Sequence, residues 1–249
     1  QTPSGMLRSD LAWKNLQQHF PAATSGLRAL DIGGGTGLVS VRLAEAGFQV
    51  VLLDSSADML AIARKTVEAE EQSQRVVFVH AGADQLGASL ENAAFRIVVC
   101  HNVLEFVDEP AAVIRSVARL LAPDGRASFL VRNRAGEVLK AAIPSNDLSR
   151  AKEALEASTA VDSLFGQTIR VFTPQEMRET LAAANLDLFA VYGVRVFSDY
   201  LNLESIDSAR YAQLLNLEST LGAKPDFAAI ARYSQFIVGR SRASQGTTK

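Results

Sequence analysis

Three consecutive glycines, Gly33-Gly34-Gly35, followed by Thr36 and Gly37, stand between an apolar stretch at 27–32 and a helical pattern at 38–46. Glycine runs weaken ordinary core structure. They belong where backbone must approach something closely or adopt positive φ. A strand that turns through glycines into a helix leaves the turn at the strand's carboxyl end. The unpaired N–H groups of the next helix then lie beside it. The pattern points to a nucleoside-like ligand held against backbone rather than to a plain strand–helix turn.

The residues around the loop narrow the ligand. A phosphate-binding P-loop needs Lys and Ser/Thr after the glycines, and Leu38-Val39 stand there. A dinucleotide fingerprint would use Gly33, Gly35 and position 38, which is Leu38; Gly37 falls one residue early. Asp31 precedes the loop, where it would repel a pyrophosphate and suit a cation. S-adenosylmethionine carries a sulfonium and an ammonium group and no phosphate. Asp54 ends the next apolar run, 48–53, at the spacing of about 20 residues expected for an acid that grips ribose hydroxyls. The competing reading of Asp54 is a helix N-cap, because Ser55-Ser56 and a helical pattern at 57–70 follow.

The alternation continues along the chain. Strands are expected at 76–80, 96–100 and 126–131, and a helix at 111–121 ended by Pro123-Asp124-Gly125. A first helix at 7–20 shows Leu7, Leu11, Leu16 and Phe20 on one face, with Pro21 as its stop. Alternating strands and helices predict an α/β doubly wound, Rossmann-like sheet with right-handed crossovers. After Arg132 the rhythm changes. Helices are expected at 136–143 and 148–164, a capping box at Thr173-Pro174-Gln175-Glu176, a long strand at 186–197, a helix at 206–221 and a last strand at 233–238. We expect a single domain over 1–249 with a helical insertion at 133–171 after the fifth strand. The hydrophobic content of 48% in 249 residues is enough for a sizeable core.

The net charge of −2 gives no global field for nucleic acid, so such contact would need a local patch. A single cysteine, Cys100, makes a reducing cytoplasm the simplest compartment, and it reads as a core residue. No apolar run is long enough to span a bilayer, the first residues do not read as a signal peptide, and the polar tail at 241–249 is expected to fray. His19, His80 and His101 are scattered, so no metal site is expected.

Leu30-Asp31-Ile32-Gly33-Gly34-Gly35-Thr36-Gly37, Asp54-Ser55-Ser56-Ala57-Asp58-Met59-Leu60, the segment Val98 to Phe106 and Leu120-Leu121-Ala122-Pro123-Asp124-Gly125 together resemble the class I methyltransferases. That resemblance implies a seven-stranded sheet whose last strand is antiparallel, with S-adenosyl-L-methionine as cofactor. Ser4-Gly5-Met6-Leu7-Arg8 with Trp13, the segment Gly193 to Leu201, Leu214-Leu215-Asn216-Leu217-Glu218 and Ala231-Arg232-Tyr233 resemble the bacterial tRNA 5-carboxymethoxyuridine methyltransferases. These methylate the carboxylate of a modified wobble uridine. The resemblance carries cofactor-binding roles onto Arg8, Gly33, Gly34, Asp54, Ala83, Asp84 and His101, and Asp31 and Gly35 join them from the loop itself. The Arg8 guanidinium suits the methionine carboxylate in a bidentate pair.

Two departures are visible. Class I enzymes often place an acid after the third strand to meet the adenine amino group; here Ala81-Gly82-Ala83 comes first and Asp84 is the nearest acid. A lysine-rich stretch expected before the helix start at Thr173 is replaced by Gly166-Gln167-Thr168-Ile169-Arg170-Val171-Phe172. Arg132, Arg134, Lys140, Arg170 and Arg195 are then the candidates for contact with tRNA phosphates. A carboxylate acceptor is already ionised at neutral pH and needs no base, so Arg195 or Arg134 would orient it. A hydroxyl or amine acceptor would call on His101 as base. A small-molecule acceptor, a non-catalytic cofactor-binding module and a dinucleotide oxidoreductase are the other readings.

Overall fold

The structure is a computed structural model and describes residues 3–90, 94–161, 166–201, 203 and 206–241. The expected end of the second insertion helix (162–164) and most of the tail lie outside these residues. In chain order the elements are α1 (Pro3–Gln17), β1 (Arg28–Ile32), α2 (Leu38–Glu45), β2 (Gln49–Asp54), α3 (Ala57–Ala69), β3 (Val76–His80), α4 (Leu86–Ser89), β4 (Phe95–His101), α5 (Pro110–Leu120) and β5 (Leu121–Arg132). There follow α6 (Arg134–Ala142), α7 (Leu148–Glu156), β6 (Thr159–Val161), β7 (Thr168–Arg170), α8 (Pro174–Ala183), β8 (Leu186–Val194), α9 (Ser208–Gly222), α10 (Pro225–Ala228) and β9 (Tyr233–Arg240).

Seven strands form one mixed sheet in the order β3-β2-β1-β4-β5-β9-β8, and β6 and β7 form a separate antiparallel pair. The chain divides into two compact units. One comprises His19–Phe129, Thr180–Phe189 and Ile237–Lys249; the other comprises Gln1–Gln18, Leu130–Glu179 and Ala190–Phe236.

In the first unit β1 pairs in parallel with β2 and with β4, and β2 with β3. The strand order reverses direction at β1, between β2 and β4. In open α/β sheets the crevice at such a reversal, outside the carboxyl ends of the strands, receives ligands. Strands β1, β2 and β4 are buried on nearly every position, with Leu30, Ile32, Leu52, Leu53, Val98 and Val99 at most 1% exposed, while the edge strand β3 is largely open. Burial on both faces explains why they read as continuous apolar runs rather than as alternation.

In the second unit α1 buries Leu7, Leu11, Ala12, Asn15 and Leu16, the face expected from its spacing. Leu7, Leu11 and Ala12 pack with Leu130, Val194, Leu214 and Tyr233. Asn15 donates to the Gln235 side chain at 2.9 Å, and Gln235 donates to the Ala12 carbonyl at 2.9 Å, so the buried amides satisfy each other and the helix backbone.

Several expected boundaries move. The first helix stops at Gln17, before Phe20, which packs edge-on against Phe48 at 5.2 Å in the first unit. A residue before proline avoids the helical region, so Pro21 releases Phe20 from the helix. Pro123-Asp124-Gly125 lie within β5 rather than in a turn before it. Asp124 there pairs with Arg96, and Gly125 is packed so tightly against the Phe95 carbonyl that an added Cβ would lie 2.8 Å from it. The helix expected to 164 ends at Glu156 and gives way to β6. The strand expected to 197 ends at Val194, because Arg195 takes φ +62. The capping box holds: Glu176 N–H donates to Thr173 Oγ1 at 3.1 Å, and Thr173 N–H donates to Glu176 Oε2 at 2.7 Å. Among the described residues no helix is long and apolar enough to cross a membrane.

Candidate functional site

Parallel pairing brings the loop and its acids together. The register sets Ile32 beside Leu53 on one side and beside Cys100 on the other. The first loop amides continue that ladder, Gly33 N–H donating to the Leu53 carbonyl at 2.7 Å and Gly34 N–H at 3.2 Å. Asp54 is the next residue of β2, so its carboxylate meets the loop and accepts Gly35 N–H at 2.8 Å. Its other oxygen accepts Ser56 N–H at 2.9 Å. Ser56, not Asp54, is the N-cap of α3, accepting Met59 N–H at 3.2 Å, so the cap reading of Asp54 is corrected. A carboxylate offers about four acceptor positions. Two backbone donors leave Asp54 with capacity for the hydroxyl pair of a ribose.

The glycines have distinct roles. Gly33 has φ +66, and a Cβ there would lie 2.4 Å from Val103 Cγ2; at Gly34 a Cβ would lie 2.5 Å from Leu52 Cγ. These two keep the loop pressed onto the sheet. Gly35, with φ +54, has only the Gly33 carbonyl within reach of a Cβ, at 3.9 Å. The space on its Cβ side is open, room for a ligand to lie against the loop.

Asp31 is buried, and the Ser40 hydroxyl of α2 donates to its Oδ2 at 2.7 Å. Burial is the main cause that pushes its carboxyl up to about 6, and the Asp54 charge adds to the rise while Ser40 opposes it. A cation nearby would relieve that cost. The pairing of β2 with β3 sets Asp54 beside His80, and Ala81 N–H donates to the Asp54 carbonyl at 3.1 Å. The chain then turns through a short 3-10 segment, Ala83–Gln85, with Ala83 buried and Asp84 exposed. Gly82 leaves room for the Asp84 carboxylate, since a Cβ there would meet Asp84 Oδ1. His101 ends β4, and its Nε2 lies 2.7 Å from Ser128 Oγ of β5, which fixes the ring. Cys100 beside it is fully buried, and burial pushes its thiol up, in keeping with a core role. This donor set holds three carboxylates, an open space beside Gly35 and no lysine in the loop. It fits a cationic nucleoside cofactor and is unsuited to a pyrophosphate.

The second unit contains a group that the sequence only hinted at. Tyr233, at the start of β9, is buried, and three guanidiniums stand over its ring: Arg132 at 5.2 Å, Arg8 at 5.5 Å and Arg195 at 5.9 Å from the centroid. The Arg8 guanidinium also donates to the Tyr233 hydroxyl at 3.4 Å. Arg232 pairs with Glu137 at 2.9 Å and with Asp199 at 3.4 Å; Arg132 shares Glu137 at 3.3 Å, and Arg195 pairs with Asp199. Arg195 is held below its ordinary range, to about 10, chiefly by burial, with Arg232, Arg8 and Arg132 adding repulsion. The Tyr233 hydroxyl is lowered despite its burial, because these guanidiniums favour the phenolate.

Local chain geometry makes the group. Asn133 caps α6 and donates to the carbonyls of Ala229 and Ala231 at 2.9 and 2.8 Å. Gly136 lets the Arg232 backbone come so near that a Cβ would lie 2.7 Å from Arg232 Cα. Arg132 is therefore a buried member of the cluster and Arg195 a part-buried one, each paired with a carboxylate. Arg134 is engaged elsewhere, by Glu176 at 2.9 Å. Lys140 is half-buried and lowered by burial and by Arg232, and Arg170 is exposed on β7. Ser40, Ser128 and Glu137 had no local signal that marked them, and Asp199 and Glu218 lie in resembling segments that give neither a role of its own. Among the described residues no group of three or more His, Cys, Asp or Glu could hold a metal.

The sheet order and the crevice acids together define a nucleoside-binding α/β enzyme of the methyltransferase type. Residues 7–191 match the methyltransferase domain family, and the chain belongs to it; the protein is an S-adenosylmethionine-dependent methyltransferase. The tRNA 5-carboxymethoxyuridine methyltransferase of Escherichia coli K12 is 29% identical over 234 residues, covering 93% of this chain and 87% of that protein. The ubiquinone biosynthesis O-methyltransferase of Aromatoleum aromaticum is 37% identical over 113 residues, 45% of this chain and 47% of that one. An S-adenosylmethionine-dependent methyltransferase from Mesorhizobium loti superposes with a TM-score of 0.65 at 19% identity, over 92% of this chain and 98% of that one. A magnesium protoporphyrin IX methyltransferase from Synechocystis superposes with a TM-score of 0.58 at 18% identity, over 96% and 83%.

Proposed function

We propose that the methyl acceptor is the carboxylate of 5-carboxymethoxyuridine at the wobble position of tRNA. The observation that carries this reading is the guanidinium group around Tyr233, in which Arg132 is buried and Arg195 part-buried. Arg195 presents an Nε without a hydrogen-bond partner. Guanidinium forks match carboxylates in plane and charge. The reading is supported by the similarity to the E. coli tRNA enzyme, which covers 93% of the chain.

For the cofactor we propose Arg8, Asp31, Gly33, Gly34, Gly35, Asp54, Ala83, Asp84 and His101 as the binding residues. Asp54 takes the ribose hydroxyls, Asp31 offsets the cationic end through the loop, and Arg8 takes the methionine carboxylate. When bound, the cofactor supplies an electrophilic methyl on a sulfonium. The residues of this chain have the remaining task, to hold the acceptor oxygen in line, which can supply about 7–11 kcal/mol. A carboxylate needs no proton removed. His101, with Nε2 against Ser128, serves to shape the wall rather than as a base. Arg195 orients the acceptor and Arg132 supports it, while the pairing with Glu176 takes Arg134 out of that role.

The test is mass spectrometry of nucleosides from tRNA that carries the free carboxymethoxy group, incubated with the protein and cofactor. Appearance of the methyl ester is the expected result; an unchanged nucleoside rejects it. The second reading, a small-molecule acceptor, draws on the net charge of −2 and on the likeness to an O-methyltransferase over 45% of the chain. Under that reading tRNA does not bind at physiological salt.

A further inference from the structure

Glu218 lies on α9, fully buried, with both oxygens turned to backbone. Oε2 accepts the N–H of Val196 at 2.6 Å, and Oε1 accepts those of Phe197 at 3.1 Å and Ser198 at 2.8 Å. The helix comes this close because of the residues one turn away on the same face. Gly222 is pressed on Gly193 so firmly that a Cβ would meet the Gly193 carbonyl oxygen. Leu214 packs into the core that holds Val194 and Tyr233.

The three amides follow Arg195, whose φ of +62 turns the chain out of β8. A side chain with a Cβ is disfavoured in this region, and such a conformation persists only where its surroundings over-determine it. Two contacts do so here. The Arg195 carbonyl accepts Arg232 N–H at 2.8 Å, and Glu218 collects the next three N–H groups. A carboxylate occupied by three backbone donors makes strong charge-assisted bonds. With both oxygens so engaged, it leaves the guanidiniums to Asp199, Glu137 and an incoming anion.

We infer that Glu218 is a positioning residue for the acceptor: it fixes the left-handed turn at Arg195 and so aims the Arg195 guanidinium. This rests on the carboxylate-acceptor reading above. Glu218→Gln keeps the shape but sets an amide donor against the Val196 N–H, removing one of the bonds. The measurements are KM and kcat for tRNA bearing 5-carboxymethoxyuridine, the dissociation constant for S-adenosylhomocysteine, and amide hydrogen exchange at 196–198, with Arg195→Ala alongside. The expected result for Glu218→Gln is faster exchange at these amides and KM raised about tenfold, with kcat and S-adenosylhomocysteine affinity unchanged. If Arg195→Ala raises KM and Glu218→Gln does not, the inference fails and the carboxylate reading stands. If neither variant moves KM, the carboxylate reading itself fails. A parallel loss of S-adenosylhomocysteine affinity and kcat would mark a general structural role and overturn the inference. Glu218→Asp, which retains the charge on a shorter arm, takes the place of the Gln variant should the latter not fold.

Discussion

The Ser40 hydroxyl donates to the Asp31 carboxylate at 2.7 Å beneath the glycine loop, and this is a buried acid kept at a cost. Its carboxyl is raised from 3.8 to about 6, mainly by burial. A raised folded-state value means that stability is fully present below pH 3.8 and is lost as pH rises through about 6. Asp31→Asn, which keeps an acceptor for Ser40, is therefore expected to stabilise the fold at pH 7.5 by about 2–3 kcal/mol. The gain shrinks as pH falls from 6 toward 3.8. Urea unfolding across that range measures it. The same variant is expected to weaken S-adenosylmethionine binding, because the cation loses its countercharge. Calorimetry showing unchanged affinity would reject that role for Asp31.

Gly33 and Gly34 make separable predictions. At Gly34 an added methyl enters the Leu52 side chain, 2.5 Å from Cγ, inside the sheet. Gly34→Ala is expected to destabilise by about 1–3 kcal/mol, as overpacking does. At Gly33 the methyl adds backbone strain at φ +66 and contact with Val103. Gly33→Ala is expected to lower affinity for S-adenosylhomocysteine at least as clearly as it lowers the melting temperature. Thermal melts with and without S-adenosylhomocysteine separate the two effects.

Glu137 is buried and shared, at 3.3 Å from Arg132 and 2.9 Å from Arg232. Removing one partner from a buried ion group costs about 3–5 kcal/mol. Glu137→Ala is expected to fall at the lower end, since Arg232 keeps Asp199. A change in denaturant midpoint equivalent to less than 1 kcal/mol would show that the group is solvated like a surface pair.

Arg195 separates stability from function. Its φ of +62 suits glycine, so Arg195→Gly relieves strain while it gives up the pair with Asp199. Stability within about 1 kcal/mol of the parent is expected. KM for the carboxylate acceptor is expected to rise by an order of magnitude or more, as when a charged hydrogen bond is lost. Equal KM values would remove Arg195 from the acceptor site.

The crevice was legible because its signals are local. Gly33 to Gly37 and Asp54 sit at strand ends, and a parallel register with one residue per step carries them to the same edge. The guanidinium group was only partly legible. Arg8, Arg132 and Arg195 each stand out in the sequence, but they lie on α1, at the end of β5 and after β8, and no spacing along the chain links them. Arg134 looked as suitable as Arg195 and is taken by Glu176 through a contact 42 residues away. The boundaries that moved have different causes: Pro21 locally releases Phe20 from the helix, and Phe20 then packs on Phe48, whereas the positive φ at Arg195 ends an apolar run that reads as strand.

The alternation of strands and helices, the glycine loop and the placing of Asp31 and Asp54 beside it are written in the chain's local pattern, because each depends on neighbours within a few residues or on one repeated register. Which arginines gather around Tyr233, and what holds that group in shape, is settled by the tertiary packing. Those side chains meet across separations of up to 225 residues, as between Arg8 and Tyr233. Their charges are tolerable in the interior only when Glu137 and Asp199 arrive with them, and the Arg195 turn persists with Glu218 beneath it. That balance is a property of packing, which no local pattern encodes.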